Sequence, residues 1–287
     1  MKPGPLTYVR PKSVAEAIAL LGESDVDAKI LAGGQSLVPM LNLRMAPAER
    51  LIDITGIAAL KSSEVAGNNV RIGACVTHEQ IQVGAVPDPS NGLMTAVATR
   101  IAYQAVRNRG TIGGSLALAD PSGDWLTTTA ALGAIIEWQG PDGVKTCAAD
   151  EFVTAAYTTR LDILDVLTGI RIPRLAADAR WGTCKLCRKT GEYAHAMAMV
   201  IRNGAASRAF LGATEGAPIR LRHAENVLAG LRDWQAGHVS VLSDAMQADL
   251  ASSTRQLKDI HIWQSRTCLI RAVQMSFGIP ETRIESP

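Results

Sequence analysis

The 287-residue sequence has no long hydrophobic run: nowhere do roughly 18 uncharged apolar residues stand together, the length a bilayer span needs. Its opening, MKPGPLTYVRPK, lacks the apolar stretch of a secretory signal. A cytoplasmic protein without a membrane span is therefore expected. Charge of one sign is also missing, because 29 Lys and Arg face 27 Asp and Glu for a net +2. That balance argues against a nucleic-acid or anionic-membrane binder and for proteins and a small molecule as partners. The cysteines (Cys75, Cys147, Cys184, Cys187, Cys268) are odd in number and mostly far apart, which argues against a disulfide framework. Two nucleotide-binding signatures are absent as well. No G-x-x-x-x-G-K-[ST] supplies the lysine and metal-binding hydroxyl of a P-loop, and no G-x-G-x-x-G follows a strand. There is no internal repeat or low-complexity segment.

What is present is a pair of glycine-rich segments about eighty residues apart, Ala32-Gly33-Gly34-Gln35-Ser36-Leu37 and Thr111-Ile112-Gly113-Gly114-Ser115-Leu116. Each sets a glycine pair beside hydroxyl residues, the composition that lets backbone N–H groups approach an anionic ligand. One such loop is as easily a tight turn as a binding site. Two of the same plan point to a ligand with two phosphates, held by the amides of Gly33, Gly34, Gly113 and Gly114 and the hydroxyls of Ser36, Thr111 and Ser115. The composition, 47% hydrophobic and 20% charged, suits a subunit with part of its surface covered in a complex.

Along the chain, Ser13 and Glu16 form a capping box for a helix over 14–21 that Gly22 stops. An apolar run from Lys29 to Ala32 leads into the first glycine segment, and Ser36 is placed to cap a helix starting near Leu37. Strand-like runs follow at 51–54 and 70–75, then a Thr77/Gln80 capping pair. A helical pattern over 93–106 ends at Arg107-Asn108-Arg109-Gly110, just before the second glycine segment. Asp120-Pro121-Ser122-Gly123-Asp124 reads as a turn and cap before a helix over 125–132. The character changes between Pro173 and Asp178. Beyond it, runs at 181–188, 194–202 and 207–213, the last two flanking Asn203-Gly204, predict a three-stranded antiparallel sheet, and 262–277 predicts a helix.

With these motifs in view, the chain resembles the FAD-binding medium subunit of molybdenum-containing hydroxylases, the group that includes aerobic carbon monoxide dehydrogenase and the flavin domain of xanthine dehydrogenase. AGGQSL is similar to that family's first flavin loop and RNRGTIGGSLALADPSGD to its second. Tyr8-Val9-Arg10-Pro11-Lys12-Ser13, and Lys185-Leu186-Cys187-Arg188-Lys189 followed by Gly191-Glu192-Tyr193-Ala194, match in kind and order, so the likeness covers nearly the whole chain. It implies an α+β protein: a two-subdomain α/β FAD-binding domain of the vanillyl-alcohol-oxidase-like (PCMH) type over 1–175, divided near residue 55, and a C-terminal α+β domain over 176–287.

By resemblance, Lys29, Ile30, Leu31, Ala32, Gly33, Gly34, Gln35 and Ser36, with Thr111, Ile112, Gly113, Gly114 and Ser115, hold the pyrophosphate. Asp124 contacts the ribityl or adenosine part, Ile101 and Leu167 the adenine side, Lys185 the isoalloxazine edge, and Tyr193 covers the ring. Ser115 stands where many relatives carry asparagine. Gln35 occupies the first loop where covalent flavoenzymes often carry histidine, which implies non-covalent FAD. The implied activity is that of an oxidoreductase subunit: FAD takes electrons singly from [2Fe-2S] clusters in a small partner, stores two, and passes them to an external acceptor. A large partner holds a molybdopterin-type molybdenum cofactor, and the assembly is a dimer of heterotrimers. The rival reading is a free-standing oxidase or reductase with non-covalent FAD. No residue is assigned a catalytic or metal-binding role in this chain.

The same residues also have plainer readings. Asp124 fits a helix N-cap, Lys185 a solvated strand lysine, Tyr193 a core or interface aromatic, and Asp120 a turn residue. Cys184 and Cys187 form a C-x-x-C without a second pair, so they read as structural thiols. The five histidines show no ligand spacing, and none stands out for catalysis. Arg107 and Arg109 read as solvated charges at a helix end or as a subunit contact.

Overall fold

A computed structural model describes residues 2–23, 25–204 and 206–279. Its first unit grows from the capped helix. Ser13 Oγ accepts the Glu16 N–H at 3.1 Å and the Glu16 carboxylate accepts the Lys12 N–H at 2.7 Å, which starts Val14–Leu21 where the sequence predicts it. This helix links strands Thr7–Val9 and Ala28–Leu31, which flank Arg50–Asp53 in a three-stranded parallel sheet. The first glycine segment leaves the C-terminal end of Ala28–Leu31, the place where ligands bind parallel sheets.

The second unit is a five-stranded sheet in the order Ser63–Ala66, Asn69–Gly73, Val166–Pro173, Ile135–Gly140, Gly143–Ala148, with every pairing antiparallel. One face is apolar because alternate residues point inward: Val70, Ile72, Ile136, Trp138, Ile170 and Ile172 are buried with Leu116, Trp125 and Phe152 from the helices above. The helix expected over 93–106 is two helices, Leu93–Thr99 and Gln104–Arg107. Between them Ala102 takes φ +41°, and the Arg107 guanidinium collects the carbonyls of Ile101 and Ala102, each at 2.8 Å. Arg107 is thus a brace for an irregular turn rather than a solvated charge. The Thr77/Gln80 capping box forms at the start of His78–Gln82.

The C-terminal sheet contains the three expected strands, Arg180–Leu186, Ala196–Arg202 and Arg208–Gly212, and gains a two-residue fourth, Ile219–Arg220. Ile201 pairs with Arg208, so Asn203-Gly204 sits in a longer connection than a two-residue turn. Helices Arg222–Gly230, His238–Ser252 and Asp259–Ser276 cover one face. Along Ala196–Arg202, Ala196, Ala198 and Val200 pack on those helices, while Met199 and Ile201 join Phe210 in the core beneath Trp125. Both faces of the sheet are therefore buried, which explains why this strand reads as a continuous apolar run. Gly182 lets the sheet meet Asp259–Ser276, since a Cβ there would lie 1.9 Å from the Ala272 carbonyl.

Candidate cofactor site

The two glycine segments, far apart in sequence, touch. A Cβ on Gly33 would fall 2.2 Å from the Arg109 carbonyl oxygen and 2.7 Å from Gly110 Cα, so only glycine permits the approach. Gly34 has φ +72°, the left-handed conformation that glycine adopts without strain. Gln35 Nε2 donates to the Gly33 carbonyl at 3.0 Å and holds the turn. Among the described residues, the backbone N–H groups of Gly33, Gly34, Gln35 and Ser36 make no hydrogen bond. Four consecutive amide donors in the cavity lining are thus left without an acceptor among the described residues.

The second segment differs from the expected clamp. Thr111 is the N-cap of helix Ile112–Leu118, and its Oγ accepts the Gly114 N–H at 3.0 Å. The Gly113 amide donates to Ala74 O at 2.9 Å and the Ile112 amide to Val76 O at 3.0 Å. The two glycine amides assigned to the ligand are thus already used. Gly113 is required for another reason: its Cβ would lie 2.5 Å from Ala74. What this segment offers a ligand is the hydroxyl protons of Thr111 and Ser115. Ser36, expected as a helix cap, makes no capping bond, and its hydroxyl meets that of Tyr193.

These segments wall a cavity of about 700 Å³. Lys29, Ile30, Ala32, Gly33, Gly34, Gln35, Ser36, Ile101, Thr111, Gly113, Gly114, Ser115, Asp124, Leu167, Lys185 and Tyr193 all line it. Leu31 does not; it lines a smaller cavity behind the loop, beside Tyr8, Asp53 and Arg109. Ile112 does not either: it is fully buried in the core, and its backbone is taken by Val76.

Asp124 and Lys185 meet across 61 positions of sequence. Their side chains, 14% and 7% exposed, form an ion pair at 2.9 Å between the start of helix Asp124–Ala131 and the first strand of the C-terminal sheet. Gly123 is the cap of that helix, so Asp124 is not a cap and Lys185 is not solvated. Burial pushes the Asp124 carboxyl up, and the Lys185 charge opposes that shift. Asp120 accepts the Ser122 N–H at 2.9 Å, as its turn reading requires, and also the Tyr157 hydroxyl at 3.2 Å. Tyr193 is exposed at the cavity rim. Its segment is anchored where Ile101 pairs with Gly191, whose Cβ would clash with the Ala102 carbonyl.

Cys184 is buried against Cys268 of helix Asp259–Ser276, while Cys187 lies past the strand end. Among the described residues no group of three His, Cys, Asp or Glu is placed to hold a metal ion. His78, Asp162, Asp165 and Glu192 also line the cavity, although no sequence motif marks them as binding residues. His78 carried one usable signal, its place in the Thr77 capping box, but nothing in one dimension reveals that Thr77 pairs with Thr111.

Comparison with known proteins accounts for this architecture. Residues 4–175 match the FAD binding domain in molybdopterin dehydrogenase. The chain belongs to that family. It is 40% identical over 225 residues to the carbon monoxide dehydrogenase medium chain of Hydrogenophaga pseudoflava, covering 77% of this chain and 78% of that one. It is 35% identical to the nicotine 6-hydroxylase medium subunit of Paenarthrobacter nicotinovorans, over 80% and 82% of the two chains. The solved carbon monoxide dehydrogenase from Hydrogenophaga pseudoflava superposes with a TM-score of 0.88 at 34% identity, over 97% of this chain and 99% of that one. FAD fits the donor set seen here. The cavity carries several carboxylates and few cations, and Lys29 is already paired with Asp27 at 3.0 Å. A diphosphate in this cavity would have neutral donors available in the four amides of the first loop.

Proposed function

We propose that this chain is the FAD-binding, electron-transfer subunit of a cytoplasmic, heteromeric molybdenum hydroxylase. In this reading a small partner with [2Fe-2S] clusters delivers the electrons, and a large partner with the molybdenum cofactor carries out the substrate chemistry. The two partners and this chain form a heterotrimer that doubles, and an external acceptor removes the electrons. The observation that carries the reading is that Gly33–Ser36, whose amides have no partner among the described residues, line a cavity of about 700 Å³ in a chain of this family.

When bound, FAD supplies two-electron storage with exchange of single electrons. The chain's residues bind and orient it. The first-loop amides stabilise the diphosphate by hydrogen bonds without a cation, and the Thr111 and Ser115 hydroxyls donate from the second glycine segment. Lys185 holds a positive charge at the cavity wall, fixed by Asp124, where it tunes the electrostatics of a nearby flavin edge. Tyr193 limits water access at the rim. Gln35 leaves the first loop without a histidine for covalent attachment.

The test is the visible spectrum of the purified full chain before and after acid precipitation. Flavin bands that move to the supernatant support dissociable FAD, whereas a colourless chain that takes up no added FAD refutes the reading. Co-purification with one larger and one smaller chain, with molybdenum and iron in the complex, tests the assembly. An isolated chain that oxidises an organic substrate would instead establish a free-standing flavoenzyme.

A further inference from the structure

We propose that His78 is a further cofactor-binding residue, whose Nε2–H donates a hydrogen bond to an oxygen acceptor of the bound dinucleotide where that ligand passes the Gly110–Thr111 turn. The inference rests on the FAD reading above. His78 lines the cavity yet is only 5% exposed, so the little surface it keeps belongs to the cavity wall. Its position is over-determined: the His78 N–H donates to Gly110 O at 2.9 Å, Thr77 pairs with Thr111, and the imidazole edge lies 2.8 Å from where a Gly110 Cβ would stand.

The tautomer is fixed by chemistry. Trp125 Nε1 can only donate, and it donates to His78 Nδ1 at 3.1 Å in the fully buried core. The neutral ring then carries its proton on Nε2. Among the described residues Nε2 has no hydrogen-bond partner, and it sits beside the second glycine segment. Burial and the nearby Arg107 charge hold the ring neutral, so it acts as a dipolar donor rather than a cation. It thereby replaces a donor that the Gly113 and Gly114 amides cannot provide, because Ala74 and Thr111 already occupy them.

Two amide substitutions separate this role from a purely structural one. An asparagine amide reaches about as far as Nδ1 and a glutamine amide about as far as Nε2. In deflavinated full-length protein, His78→Asn preserves the Trp125 contact and is expected to raise the FAD dissociation constant about tenfold, the loss of one neutral hydrogen bond with desolvation. His78→Gln is expected to restore affinity to within about threefold of wild type while lowering the melting temperature more than His78→Asn does. A structural role predicts that asparagine binds FAD like wild type, and that result overturns the proposal. In the wild-type protein the His78 Nε2–H proton resonance is expected to shift on FAD addition, and an unmoved resonance also overturns it. If wild-type protein takes up no FAD, the functional reading fails instead, so the two failures are distinguishable.

Discussion

Gly33 shows how a single missing side chain brings two sequence motifs together. Gly33→Ala must push the first loop off Arg109, and we expect a stability loss of about 1–3 kcal/mol in urea unfolding together with loss of retained FAD. The Asp124–Lys185 pair makes a second prediction. Removing only the cation in Lys185→Met leaves a buried carboxylate uncompensated, at a cost of about 3–5 kcal/mol, while the double substitution with Asp124→Asn recovers most of it in a double-mutant cycle. A third prediction concerns pH. Burial, and then the Arg107 charge, pushes His78 down to about 4. In the unfolded chain it titrates near ~6.5, so the unfolded state binds the extra proton between those values. The stability is complete above the unfolded value and is lost as pH falls toward 4, by at most on the order of 3 kcal/mol. Urea midpoints of the apoprotein should fall over that window in wild type and less in His78→Asn. At this scale the glycines and hydroxyls of the loops were legible, because few residue types tolerate such geometry. The pairing of Asp124 with Lys185 was not, because 61 positions separate them.

Elements followed local chemistry where their ends are self-contained. Ser13 caps its helix through the Glu16 N–H, although the Glu16 carboxylate turns to the Lys12 N–H instead of completing the expected box, and Thr77 with Gln80 forms the full reciprocal box; in both cases the partners lie within four residues. Elements whose limits depend on distant groups depart from their local pattern. Arg107 breaks the helix expected over 93–106 by capturing two carbonyls, and Ala74 and Val76 take the amides that the second glycine segment had been expected to offer. The contact of Gly182 with Ala272 belongs to the same class. Gly182→Ala would place a methyl group 1.9 Å from the Ala272 carbonyl and force helix Asp259–Ser276 away from its sheet. We expect a loss of about 3 kcal/mol or more, read as a lower urea midpoint with weakened near-ultraviolet circular dichroism.

For the whole molecule, the decisive feature is a C-terminal sheet buried on both faces. Its strands contribute Met199, Ile201 and Phe210 to one core and Ala198, Val200 and Leu211 to another, while Asp150 faces both Arg208 and Arg220 across the boundary at 3.6 and 3.8 Å. Sequence by itself determined the local devices: the capped helices, the glycine segments, the apolar runs of the strands, and through their order the family. Each depends on interactions that span a few residues or on a backbone shape that only certain residues allow. Tertiary structure alone decided which donors remain free for a ligand, which charges pair in the cavity wall, and that His78 stands beneath the second glycine segment. Those outcomes depend on which carbonyl or carboxylate arrives from elsewhere in the chain, and burial makes a contact of that kind count for more than any local preference.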